Sequence, residues 1–124
     1  MQQDKTAPDA PAAVPMGVYV DPKAMDWEPT GLPGAFRKVL YDDPASGRST
    51  VLFRMEPGGV IPFHEHPELE QTFVLEGSLE DDQGACTAGT FVWRPAGSRH
   101  TARCPHGATF LVFFMKPPKR LPQS

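Results

Sequence analysis

Cysteine is scarce in this chain: Cys86 and Cys104 are the only two among 124 residues. They cannot build a disulfide-dense scaffold, and they are not spaced as a CxxC metal knuckle. Both are expected as thiols that fill small apolar spaces. An excess of one charge is also lacking, since 12 basic and 15 acidic side chains leave a formal −3. Without a basic surplus there is no net attraction to a phosphate backbone or an anionic bilayer, so neither nucleic acid nor membrane is an expected partner. No apolar run approaches the roughly 20 residues that span a bilayer. The opening MQQDKTAPDAPAAVP lacks the basic start and apolar centre of a secretory signal, which makes the cytoplasm the expected location. Segments with the apolar period of a helix are missing too.

Turn-formers are plentiful, with 15 prolines and 11 glycines. They divide the chain into short β-prone stretches: FRKVLY at 36–41, STVLFRM at 49–55, QTFVLEG at 71–77, TFVW at 90–93, HTARC at 100–104 and ATFLVFF at 108–114. Many short strands punctuated in this way predict an all-β sandwich or a barrel closed on itself. The length fits one domain. Residues 1–16 read as a flexible tail because ordering them would bury little apolar surface. The domain is expected over 17–118 and a C-terminal tail over 119–124, and the short basic KPPKR stretch at 116–120 reads as a solvated terminus. Pro62 argues against a central strand at VIPF.

The stretch GGVIPFHEHPELEQTFVLEG carries the chemistry. In an extended segment residues two apart face the same way, so His64 and His66 project together, and Glu70 can fold back beside them. Imidazole and carboxylate donors without a thiolate suit Fe(II), Mn(II), Ni(II), Cu(II) or Zn(II). A lone histidine is ordinarily a surface or hydrogen-bonded residue, and the residues alone leave both readings open. In GTFVWRPAGSRH, Gly89, Pro95 and Gly97 shape a strand and turn that deliver His100 as a reasonable fourth ligand.

Together these residues resemble the cupin superfamily. Its first motif is matched by Gly58, His64, His66, Glu70 and Gly77, and its second by Gly89, Pro95, Gly97 and His100, with Cys104 at the usual asparagine position. The finer likeness, in GRSTVLFRMEPG and GTFVWRPAGSRHT, is to the cupin domain of ChrR-type anti-sigma factors and to dihydroxyacetophenone dioxygenase-like cupins. The resemblance implies a double-stranded β-helix, the jelly-roll barrel, holding one divalent metal through His64, His66, Glu70 and His100. It implies Fe(II) first, with Mn(II), Zn(II) or Ni(II) as alternatives. It also implies a homodimer and a small-molecule substrate.

Four protein ligands on a six-coordinate ion leave two positions open, as a catalytic site requires. The leading expectation is therefore a metal-dependent dioxygenase acting on a small carbonyl or phenolic compound. A non-redox isomerase, lyase or decarboxylase is the alternative, and a metal-binding sensor or regulatory domain is the third reading. Phe53, Phe73, Trp93, Phe110, Val112 and Phe114 are candidates for an apolar interior. Arg54, Arg94 and Arg99 are candidates for a carboxylate-binding fork, and Glu68 is expected to be exposed. Cys104 and His106 form a C-x-H pair after His100.

Overall fold

The longest strand, β5 (Glu70–Asp81), changes neighbours at a single glycine. Residues 70–77 pair antiparallel with β9 (Ala108–Phe114), and 70–73 pair on the other side with β7 (Phe91–Arg94). Residues 78–81 pair instead with β6 (Gly84–Thr87), and Glu80 lies opposite Arg103 of β8 (Arg99–Cys104). The change falls at Gly77, whose φ of 75° is in the left-handed region. A Cβ there would collide with the carbonyl oxygen of Gly107. Glycine alone permits both the backbone angle and this approach, so the strand bends at the end of QTFVLEG.

A computed structural model describes residues 13–122. Its strands form one curled sheet in the order β1 (Glu28–Pro29), β2 (Ala35–Asp43), β3 (Arg48–Met55), β9, β5, β8, β4 (Gly59–Glu65) and β10 (Lys119–Arg120), with β6 and β7 attached to β5. The expected jelly-roll barrel is not closed. The sheet is an open half-barrel whose edges stand 17 Å apart. The edge strands explain this in part: β1 and β10 have two residues each, and Pro29 in β1 and Pro118 before β10 have no N–H to offer a ladder. The single turn of 3₁₀ helix at Pro22–Ala24 is the one helical element among the described residues.

Alternation along β5 sets the interior. Thr72 and Val74 are 2% and 0% exposed, whereas Phe73 and Leu75 are 36% and 46% exposed. Phe73 and Trp93, expected as interior candidates, therefore lie on the outer face. Directly paired residues share a face, and Phe73 sits opposite Phe91 and Leu111 while Trp93 sits opposite Gln71. Phe110 and Val112 are in the core, with Phe53 and Phe114 packed against it, as expected. Cys104 is fully buried with Sγ 3.8 Å from Sδ of Met55, and Cys86 lies by the Thr90 hydroxyl, so both thiols are free and act as filling.

Pro62 is accommodated by an irregularity in the β4–β8 register between Ile61 and His64. At the C-terminal end, Lys119 and Arg120 of the segment read as a tail pair with Glu65 and His64 of β4. Residues 1–12 of the expected N-terminal tail and 123–124 at the other end lie outside the described residues. Residues 13–20 carry no helix or strand and leave Val18 and Tyr19 exposed.

Candidate metal centre

His64 ends the irregular part of β4, and its orientation is set by the bulge that Pro62 makes. Its Nδ1 is 2.7 Å from the carbonyl oxygen of Pro62. A carbonyl only accepts, so Nδ1 carries the proton and Nε2 presents a lone pair. His100 on β8 lies opposite His64 in the ladder. Its Nδ1 is 2.8 Å from Oδ2 of Asp81, which fixes the same tautomer.

His66 is held by its backbone. Its N–H donates to the carbonyl of Ser98 at 2.9 Å, and its own carbonyl accepts from the N–H of Gly97 at 2.7 Å. The Pro95–Ser98 turn that supplies these groups is closed by the Ser98 N–H to the Pro95 carbonyl. It needs a left-handed third residue, provided by Gly97 at φ 88°. The turn also brings the Ser98 hydroxyl 2.9 Å from Nδ1 of His66.

Each imidazole is thus tethered at Nδ1 and directs Nε2 inward. Nε2 of His64 and His66 are 3.2 Å apart, and one ligand nitrogen from each of the three rings lies within 4.8 Å of the other two. Lone pairs facing one another at this range repel unless a proton or a cation lies between them. A divalent cation satisfies all three at once, with outer hydrogen bonds already orienting every ring. The donor set therefore fits a metal ion.

Glu70, the fourth expected ligand, stands beside this cluster rather than within it. Its Oε2 is 3.6 Å from Nε2 of His66, while the mutually close set consists of His64, His66 and His100.

The electrostatics keep the donors free of protons. Burial pushes His66 down to about 3, with the charges of His64, His100 and Arg94 acting in the same direction. His64 and His100 are also lowered, again chiefly by burial, against the opposing hydrogen bonds to Pro62 and Asp81. Burial raises Glu70 to about 7, although the nearby Arg94 charge works against it. At Asp81 burial opposes ionisation but is outweighed by the hydrogen bond from His100, the backbone N–H groups of Gln83 and Gly84, and the Arg94 charge, so its pKa is lowered.

Asp81 and Ser98 are the residues that motif spacing missed. Asp81 lies in a stretch that reads as a polar hairpin, and only the bend at Gly77 carries it to His100. Ser98 had a local signal, as a hydroxyl two residues before His100 in a tight turn. Of the three candidate arginines, only Arg94 reaches the centre, with Nη1 3.1 Å from Oδ2 of Asp81. Arg99 pairs with Glu65 at an exposed position, and Arg54 lies over the rings of Trp27 and Phe36. Glu68 and His106 are exposed.

Two cavities flank the histidines. One of about 300 Å³ is polar and includes His66, Asp81, Arg94, Ser98 and His100. The other, of about 250 Å³, is walled largely by apolar side chains and includes His64 and Glu70.

A curled β-sheet with three histidines converging from two neighbouring strands and the adjoining turn defines a cupin. More narrowly, the sequence profile of the ChrR cupin-like domain matches residues 15–118, and the chain belongs to that family. No curated protein matches it significantly. Among solved structures, the fold is similar to a candidate acetylacetone dioxygenase of Methylibium petroleiphilum PM1, with TM-score 0.81 and 21% identity over 91% of this chain and 86% of that one. It is also similar to an acetylacetone dioxygenase of Acinetobacter johnsonii, with TM-score 0.76 and 17% identity over 93% and 83% of the two chains. The polyketide cyclase RemF of Streptomyces resistomycificus is similar at TM-score 0.70 and 25% identity, over 88% of each chain.

Proposed function

We propose that this protein is a mononuclear metal-dependent dioxygenase acting on a small carbonyl or phenolic compound. His64, His66 and His100 hold the ion, Glu70 completes the set, and Fe(II) is favoured over Mn(II), Zn(II) or Ni(II). The observation that carries this reading is the convergence of three tethered, uncharged imidazoles beside an apolar cavity. Likeness in fold to acetylacetone dioxygenases supports the substrate class. When bound, such an ion supplies open coordination positions and, as iron, the electrons for oxygen chemistry.

The chain's own residues do the rest. Pro62, Ser98 and Asp81 keep the three rings in one orientation, so that no reorganisation is needed during reaction. The apolar cavity walls exclude water from the substrate. Glu70, with Oε2 3.6 Å from Nε2 of His66, stands where its carboxylate would add a negatively charged oxygen to the three nitrogens.

The test is oxygen consumption by anaerobically Fe(II)-loaded protein with acetylacetone and with dihydroxyacetophenones. Uptake coupled to substrate loss is expected; none at full iron occupancy would overturn the reading. Likeness in fold to the polyketide cyclase RemF favours a second reading, non-redox chemistry without oxygen, as in an isomerase, lyase or decarboxylase. Turnover with Zn(II) in strict anaerobiosis distinguishes it.

The homodimer belongs to this proposal as well. Residues 13–20 place Val18 and Tyr19 in solvent, and the outer sheet face exposes Phe73, Leu75, Phe91, Trp93 and Phe113 on three adjacent strands. The segment of one copy would cover the apolar patch that these side chains form on a second.

A further inference from the structure

The apolar cavity beside His64 is lined by one cationic side chain, Arg120, that meets no carboxylate among the described residues. Leu32, Phe53, Ile61, Phe110, Val112 and Phe114 form most of its wall, and its polar lining side chains are Thr30, His64, Glu70 and Arg120. Thr30 is already engaged: its hydroxyl donates to the Ala35 carbonyl and accepts from the Leu32 N–H. His64 and Glu70 belong to the metal centre. Arg37, Arg94, Arg99 and Arg103 each meet a carboxylate, and Arg54 lies over two aromatic rings. Among the described residues, Arg48 and Arg120 make no such pair, and of the two only Arg120 lines the cavity.

Arg120 is placed there by the C-terminal strap. β10 sets Arg120 opposite His64 and Lys119 opposite Glu65, and the Leu121 N–H donates to the Phe63 carbonyl at 3.1 Å. Residues directly opposite in an antiparallel pair project to the same face. Arg120 therefore stands on the His64 side of the strap, where it lines the cavity together with Pro118 while its guanidinium keeps contact with solvent. A volume of about 250 Å³ falls below the range of roughly 300–1,000 Å³ that holds drug-sized ligands. The occupant is one ring or a short branched chain.

We infer that Arg120 is a specificity-determining residue, selecting small apolar substrates that carry one anionic oxygen, a carboxylate or an enolate. The guanidinium offers a planar fork to that oxygen while the hydrocarbon body fills the apolar wall. This inference rests on the reading of the cavity as the substrate site and is independent of whether oxygen is consumed.

The experiment compares benzoate with benzamide, which share a ring and differ in charge. Binding is measured by calorimetric titration and ligand-observed NMR on the full chain loaded with zinc, which prevents redox turnover. Wild type should bind benzoate about tenfold more tightly than benzamide, the scale of one charge-assisted pair near solvent. Arg120→Gln should remove the preference by weakening benzoate more than benzamide; Arg120→Lys should restore part of it. Leu32→Trp, on a loop, should fill the cavity and weaken both ligands.

Equal binding of the two ligands to wild type, or no binding of benzoate at millimolar concentration, would overturn the inference. So would a preference that survives in Arg120→Gln, because the metal ion would then be the anion's partner. Retained benzoate binding in Leu32→Trp would place the ligand elsewhere and overturn it too. If the charge preference holds but no oxygen is taken up, the dioxygenase reading fails and this one stands.

Discussion

Replacing Asp81 by asparagine tests whether the outer hydrogen bonds prepare the metal centre. The carboxylate receives four donors: Oδ2 takes Nδ1 of His100 at 2.8 Å and Nη1 of Arg94 at 3.1 Å, and Oδ1 takes the N–H groups of Gln83 at 2.9 Å and Gly84 at 3.2 Å. An amide has one acceptor oxygen. The turn fixes the two backbone donors, so the oxygen stays with them and the NH₂ group is left facing Arg94 and His100. His100 must then turn its ring or move its proton to Nε2, and either change withdraws a lone pair from the centre. Loss of such an outer partner costs about 10- to 100-fold in metal affinity, or roughly 1.4–2.7 kcal/mol. The assay is competition for Zn(II) against a chelator of known affinity, with His100→Ala as the reference for complete loss of one ligand. Asp81→Asn should fall between wild type and His100→Ala, with the fold retained by circular dichroism. Affinity within twofold of wild type would refute the view that Asp81 orients His100.

Three further outcomes follow from packing and charge. Gly77→Ala combines a left-handed backbone angle with a collision against the Gly107 carbonyl; it should lower stability by about 3 kcal/mol or more in chemical denaturation, or prevent folding. The Cys104 thiol is raised to about 11, first by burial and then by the Glu80 charge. Native protein at pH 8 should therefore resist alkylation at Cys104, whereas denatured protein should react. A thiol pKa raised in the folded state stabilises fully below the ordinary value of 9.0, and that contribution is lost as pH rises toward about 11. Trp93→Glu puts a charge on the exposed apolar face and should convert a dimer to monomer in sedimentation velocity; an unchanged dimer would remove that face from the interface.

The three histidines were legible because their arrangement is local twice over. His64 and His66 share a face at a spacing of two, and Gly97 fixes the turn before His100. Their meeting requires only that β4 and β8 pair. Asp81 was not legible, because its role depends on a strand that bends at Gly77 and reaches His100 from the far side. The phase of β5 was also ambiguous. Phe73, Val74 and Leu75 are consecutive apolar residues, so alternation gives no inward side, and only pairing with Phe91 and Leu111 decides it. Closure of the barrel is harder still: whether two edges meet depends on accumulated twist and stagger across the sheet, which no single segment encodes. Arg120 shows the same limit from the other end, since a short basic stretch among prolines reads as solvated until β4 supplies its partner.

The division of labour around the centre follows from where its supports lie. Asp81, Arg94 and Ser98, which position His100 and His66, all line the polar cavity. His64 is positioned by its own backbone through the Pro62 carbonyl, so its ring needs no side-chain anchor on the apolar side. The apolar cavity is therefore free of groups committed to holding the rings, apart from Glu70 beside His66. Changes on the polar side are expected to act on how firmly the donors are held and, if the apolar cavity is the substrate site as proposed, changes at Leu32, Ile61 or Arg120 to act on what is bound. On that reading, ligand selectivity can shift without disturbing the centre, because His66 and His100 border the polar cavity whereas His64 borders the apolar one.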